Sequence, residues 1–277
     1  MKIGFIDLYL GNWHATHLPD ILKKIATDRG ADVQLAYAWA KEDVSPVTGQ
    51  TTDEWCKTYG AERCATIAEV CEKSDCIAIL SPTNPEYHLP FAKEVLPFGK
   101  PTFIDKPFAV NAKEAEEILA IAKEYNTPVY SSSALRYATE IHAVEKPIFI
   151  ATTGGITTYE EYIIHQIEMV VAALGIGATG VNAVKMGELV HFEIFYPDGR
   201  TANMMASGDA AVMPFTVIVG NDKDRKFKEV TSDIFYAAYD DMVRFFTEKT
   251  CSFDPEETVE VMRIRDMTLE AVKRIGL

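Results

Sequence analysis

Short apolar runs alternate with helix-length amphipathic stretches through roughly the first 135 residues, and this alternation constrains the fold more than any other feature. Lys2–Asp7 and residues 33–39 read as strands; between them Ile21, Leu22, Ile25 and Ala26 recur at helical spacing. Thr52-Asp53-Glu54-Trp55 opens a short helix that ends at Gly60, and Thr66 with Glu69 has capping-box spacing for a helix to about Lys73. Residues 75–80, 102–105 and 128–132 are further strands. Asn84-Pro85 suits an N-cap and first helical residue, with Pro90 requiring a kink or a later start, and residues 112–125 form the next helix. Strand–helix units of this length connect right-handed and build a parallel sheet. The expected fold class is therefore α/β, a Rossmann-like doubly wound domain over residues 1–137.

After Glu145 the pattern changes. Residues 148–153, 181–186, 190–196, 201–206, 216–219 and 226–230 read as short strands, with Pro197-Asp198-Gly199-Arg200 as a hairpin turn. One helix, Tyr159–Leu174, interrupts early and two helices finish the chain, the last opening at Asp254-Pro255-Glu256-Glu257. Residues 138–277 are expected to form an α+β domain with a mostly antiparallel open sheet. An open sheet with helices on one face leaves the other to be covered, so a homo-oligomer through this sheet is expected.

Bulk properties exclude several classes. The 277 residues are 48% hydrophobic and 25% charged, as in ordinary globular proteins, and the net charge of −14 opposes a nucleic-acid partner. No apolar run is long enough to span a membrane. Met1-Lys2 leads directly into the first strand, so no secretory signal is expected, and the five cysteines, Cys56, Cys64, Cys71, Cys76 and Cys251, form no C-x-x-C pair. Reduced thiols in the cytoplasm are expected.

The chemistry concentrates in two places. Phe103-Ile104-Asp105-Lys106-Pro107-Phe108 puts a lysine at the carboxyl end of a buried strand, where open α/β sheets carry their sites. Glu161, His165 and Glu168 share one face of the helix Tyr159–Leu174. The spacing Glu-x-x-x-His-x-x-Glu also suits metal ligation, but no third segment supplies partners and no metal is expected.

Asp105-Lys106-Pro107 resembles the Glu/Asp-Lys-Pro signature of the Gfo/Idh/MocA oxidoreductases (glucose–fructose oxidoreductase, inositol dehydrogenase and their relatives). Ser81-Pro82-Thr83-Asn84 with His88 resembles that family's Thr-Pro-Asn…His stretch, Leu135-Arg136-Tyr137 its Arg-aromatic pair, and Glu161…His165 its Asp-x-x-x-His pair. The resemblance implies an NAD- or NADP-dependent enzyme acting on a sugar, polyol or related small hydroxy compound. It gives Lys106, His165 and Glu161 catalytic roles. His165 would move the hydroxyl proton, Lys106 would stabilise the developing alkoxide, and Glu161 would hold the imidazole. Cofactor binding, if present, is expected at Asp7, Tyr9, Gly11, Asn12, Trp39, Ser81, Pro82, Asn84, His88, Asp105 and Arg136.

The amino terminus departs from that pattern. Where Gly-x-Gly-x-x-Gly would stand, the chain has Asp7, Tyr9 and Asn12, with Gly11 nearby but out of register. An ionised Asp7 at about 5 Å from a phosphate, at an effective dielectric of about 20, costs roughly 3 kcal/mol, or about two decades of affinity. Pro19 points to a helix that starts near Leu18. The second strand ends Tyr37-Ala38-Trp39-Ala40, with no acid for a ribose until Glu42 and Asp43. The loop 8–17 instead offers Tyr9, Asn12, Trp13, His14 and His17, read either as a ligand-pocket lining or as aromatics packed against Trp39. Two readings follow: the oxidoreductase, which is preferred, and a non-catalytic sugar-binding or regulatory protein of the same fold that has lost the dinucleotide.

Overall fold

A computed structural model describes residues 1–208 and 213–277. The chain divides into two compact units: Met1–Ser132 with Phe235–Phe253, and Ser133–Ile234 with Asp254–Leu277.

In the first unit β1 (Lys2–Asp7), β2 (Gln34–Ala40), β3 (Glu62–Arg63), β4 (Cys76–Ile79), β5 (Thr102–Ile104) and β6 (Val129–Tyr130) form one parallel sheet. Helices α1 (Trp13–Arg29), α2 (Thr52–Tyr59), α3 (Ile67–Lys73), α4 (His88–Val95) and α5 (Ala112–Glu124) lie between the strands in sequence. The strand order β3-β2-β1-β4-β5-β6 is doubly wound, as the alternation predicts, and reverses direction between β1 and β4. Strands covered on both faces must be apolar throughout, and Ile3, Phe5 and Ile6 of β1 and Ile77, Ala78 and Ile79 of β4 have no solvent exposure. Burying each of the larger side chains contributes about 1.5–3 kcal/mol.

Two local expectations are corrected. Helix α1 begins at Trp13, not near Leu18: the Asn12 side chain accepts the Ala15 N–H, and Pro19 lies inside the helix. The cap and the buried stripe Ala15, Leu18, Leu22 and Ile25 outweigh the one backbone hydrogen bond that Pro19 cannot make. Asn84 precedes a single 3-10 turn, Pro85–Tyr87, and its side chain donates to Glu86 (3.0 Å) instead of capping; α4 then starts at His88, late enough to take Pro90 in its first turn.

The second unit has the expected α+β form. Strands β7 (Phe149–Gly155), β8 (Gly180–Met186), β9 (Leu189–Phe195), β10 (Thr201–Ser207), β11 (Thr216–Gly220) and β12 (Arg225–Glu229) lie in the order β12-β11-β7-β10-β9-β8. Only β7 and β10 pair in parallel. Helix α6 (Tyr159–Leu174) is pinned to this sheet by the buried Gln166, which accepts from Thr152 Oγ1 (2.7 Å) and donates to Met205 O (3.2 Å). An amide buried with partners for both of its ends fixes the helix rotation, and hence the direction of the neighbouring His165.

Helix α7 (Ile234–Glu248) carries the chain back to the first unit, and α8 (Pro255–Arg274) closes the second. Phe245 of α7 stacks on Tyr130 (centroids 5.2 Å apart), Asp241 accepts from the Tyr130 hydroxyl (3.1 Å), and Arg29 grips Asp240 through Nε (2.5 Å) and Nη2 (2.7 Å).

Candidate active site

The polar side chains of the first unit gather at the carboxyl ends of β1, β4 and β5. Asp7, the last residue of β1, is fully buried and turned inward. Its two oxygens accept from Asn12 Nδ2 (2.8 Å) and Ser81 Oγ (3.0 Å). Ser81 follows β4 with φ +67°, a left-handed conformation unusual for a residue with a side chain. Its hydroxyl holds that bend by accepting the Leu8 N–H (2.9 Å) while donating to Asp7. Burial pushes the Asp7 carboxyl up to about 7, against the hydrogen bonds that favour its charge. The repulsion toward a phosphate that the sequence suggested is therefore corrected, since this carboxyl is enclosed and half neutralised near pH 7. Gly11, with φ +106°, sits where a Cβ would meet Thr48 Oγ1 at 2.8 Å and Ser45 Oγ at 2.9 Å, so the loop requires glycine there. Tyr9 is half-buried, Trp13 stacks on His17 (4.2 Å) and meets Phe235 (4.6 Å), and Trp39 meets Phe91 edge-on (5.7 Å).

Beyond β5, the buried Asp105 lies 2.7 Å from His14 Nδ1 and accepts the Lys106 N–H (2.8 Å). Burial opposes its charge, yet His14 and Lys106 hold the carboxyl below the usual range. The Tyr239 hydroxyl of α7 also reaches His14 Nδ1 (3.3 Å). Lys106 is only 9% exposed, with Nζ 3.5 Å from Pro82 O. His88 ties this turn to β4: its ring nitrogens face Leu80 O (2.6 Å) and Phe108 O (3.2 Å), and burial pushes its pKa down. At the end of β2 a cleft of about 400 Å³ is lined by Trp39, Lys41, Ile67, Tyr87 and Phe91, among others.

In the second unit His165 is half-buried, with Tyr162 and Phe215 edge-on to its ring (5.7 and 6.3 Å). Ser133 Oγ stands 2.7 Å from its Nδ1. Glu161 sits one turn earlier, its N–H donated to the cap residue Thr158. Glu168 is buried, accepting Ser133 N–H (3.0 Å) and Arg136 Nε (2.9 Å). The other side of Arg136 donates to Glu257 Oε2 from Nη1 (2.7 Å) and Nη2 (2.9 Å). Burial pushes both Glu168 and Glu257 upward, with Arg136 opposing the shift. Sequence reasoning missed Ser133, Glu257 and Tyr239; the only hint was the serine run 131–133, since these contacts link residues 32 to 225 positions apart.

Residues 21–132 match the sequence model of Gfo/Idh/MocA, an oxidoreductase family with an NAD-binding Rossmann fold. That stretch, which holds Asp105-Lys106-Pro107, is similar to this family, in keeping with the resemblance. Over the whole chain the fold is shared with solved structures of low identity. UDP-N-acetylglucosamine 3-dehydrogenase GnnA from Acidithiobacillus ferrooxidans is 14% identical with a TM-score of 0.80, over 99% of this chain and 98% of that one. Apo scyllo-inositol dehydrogenase from Lactobacillus casei is 16% identical with a TM-score of 0.77, over 99% and 96%. GenD2 from gentamicin A biosynthesis, solved with NAD, is 13% identical with a TM-score of 0.76, over 99% and 94%. No curated protein matches the chain in sequence. No described helix is long and apolar enough to cross a membrane.

Proposed function

We propose that this protein is an NAD(P)-dependent oxidoreductase that transfers hydride to or from a sugar, polyol or related small hydroxy compound. The observation that carries this reading is Lys106 held beside buried Asp105 at the carboxyl end of β5, inside the stretch matched to an NAD-binding Rossmann family. Two similar structures bear the names of dehydrogenases of a nucleotide sugar and of an inositol, which supports the substrate class.

The donor set fits a dinucleotide. The first turn of α1 contains no acid, so its dipole and N–H groups favour an anion, and the enclosed Asp7, raised to about 7, opposes one less than an ordinary carboxylate would. Tyr9, Gly11, Asn12 and that first turn would hold the pyrophosphate, and the aromatic-lined cleft after β2 would take a planar base. When bound, the cofactor supplies or accepts the hydride. The chain supplies the rest: in the first unit the Lys106 ammonium stabilises negative charge that develops in the reaction, and in the second the His165 imidazole gives or takes a proton.

Titration of the purified protein with NADH and with NADPH, followed by quenching of Trp13 and Trp39, is expected to show saturable micromolar binding. Absence of binding up to millimolar cofactor overturns this reading and leaves the fold as a carbohydrate-binding or regulatory scaffold.

The outer face of the second unit's sheet exposes Val184, Met186, Phe195, Ile218 and Phe227. An apolar face of this kind is expected to be covered by a second copy. Light scattering is expected to give a dimer or higher assembly for the native protein and monomer for Phe195→Glu combined with Ile218→Glu. A native protein that is monomeric at micromolar concentration rules out this assembly.

A further inference from the structure

We infer that Ser133 is the positioning residue for the His165 imidazole, in place of a carboxylate on α6, and that a buried carboxylate–guanidinium chain fixes Ser133. It rests on the proposed oxidoreductase reading only where turnover is measured.

The geometry runs outward from the ring. Ser133 is 1% exposed and its Oγ lies 2.7 Å from His165 Nδ1. The same oxygen accepts the Leu135 N–H at 3.3 Å as the cap of a 3-10 turn. That contact leaves the hydroxyl hydrogen able to point at Nδ1, and we assign the resting neutral ring its own hydrogen on Nε2. The Ser133 backbone is held in turn by Glu168, Glu168 by Arg136, and Arg136 by Glu257 in the first turn of α8. Charge-assisted bonds in a buried chain tolerate little displacement. The plane of the ring is set separately, by the edges of Tyr162 and Phe215. Gly154 makes room for Phe215, since a Cβ there would lie 2.4 Å from it.

A carboxylate at Nδ1 only accepts, and so forces the hydrogen onto Nδ1. A hydroxyl gives or accepts. With Ser133 as partner the resting neutral ring is a hydrogen-bond donor at Nε2. To give a proton to a carbonyl oxygen in the reductive direction the ring is first the imidazolium, whose Nδ1–H the hydroxyl turns to accept. Loss of the Nε2 proton then leaves a neutral ring with its hydrogen on Nδ1. For the oxidative direction the hydroxyl turns to accept from Nδ1, and Nε2 becomes the base.

The test uses the full-length protein labelled with 15N-histidine. Its six histidines are resolved by long-range nitrogen–proton spectra, with His165→Asn assigning the signal. The native protein is expected to show His165 with Nε2 protonated and Nδ1 accepting. In Ser133→Ala that signature is expected to collapse to a tautomer mixture, and Ser133→Thr is expected to restore it. In an active preparation kcat is expected to fall by roughly tenfold or more in Ser133→Ala, with KM and cofactor affinity little changed. If the alanine variant does not fold, Ser133→Cys, which keeps the size and weakens the hydrogen bond, takes its place. An unchanged His165 signature in a folded variant overturns the inference, as does unchanged kcat in an active one. Failure of the oxidoreductase reading leaves the spectra to decide alone.

Discussion

Replacement of Asp7 by asparagine is expected to remove a pH-dependent loss of stability on the order of 4 kcal/mol. Asp7 is raised from an ordinary value of 3.8 to about 7 by complete burial. Between those values the folded protein holds a proton that the unfolded chain has released. Folding therefore binds protons in this window, and stability falls as pH rises through it, at about 1.36 kcal/mol per pH unit. The contribution is undiminished below the unfolded pKa and lost once pH passes about 7. Asparagine reproduces the protonated pattern: its oxygen accepts from Asn12 Nδ2, and its amide donates to Ser81 Oγ. Other buried groups titrate nearby. His88, pushed down by burial, gives the opposite slope as pH falls, while Glu168 and Glu257, pushed up, add to the Asp7 slope. These groups are common to both proteins and cancel in the difference. Urea unfolding at pH 5 and pH 8 is the measurement. The variant is expected to gain about 2.7 kcal/mol more at pH 8 than at pH 5 relative to the native protein; parallel profiles for the two proteins would show that Asp7 ionises freely in the fold.

The same residue shows what a sequence hides. The alternation that builds the parallel sheet, and the return to short strands after Glu145, are local patterns, and both survive in the structure. The state of Asp7 is not local, because it depends on Ser81, 74 positions away, and on the inward turn of Asn12. A carboxylate placed where glycine is expected reads as repulsion until its burial is known. Pro19 misled for a related reason, since a helix start is decided by cap and buried stripe together, and propensity sees only one residue at a time. Arg136 and Glu168 were visible as charges on an apolar background, yet the second carboxylate that Arg136 pairs with, Glu257, lies in α8, 121 positions away. The addition of α7 to the first unit rests on contacts such as Tyr130 with Phe245, which no periodicity announces.

Lys106→Met is expected to lower kcat/KM by roughly a thousandfold, about 4 kcal/mol of transition-state stabilisation, while leaving the fold intact. Methionine is close to lysine in shape and suits a position that is 9% exposed, so packing around Pro82 and Pro107 is retained. Asp105 keeps the Lys106 N–H and the His14 imidazole as partners, so removal of the ammonium does not leave a buried carboxylate unpaired. What is lost is one charged donor in an enclosed place, where a charge-assisted hydrogen bond is worth most. If Lys106 acts only on charge that develops during hydride transfer, the dissociation constants for NADH or NADPH change by no more than a few-fold and the melting temperature stays close to native. A loss of cofactor affinity equal to the loss of kcat/KM would make Lys106 a binding residue instead. Turnover above a tenth of native would remove it from the chemistry altogether. Lys106→Arg separates charge from shape: the guanidinium keeps the positive charge but needs a wider, planar set of partners beside Pro82, and recovery is expected to be poor.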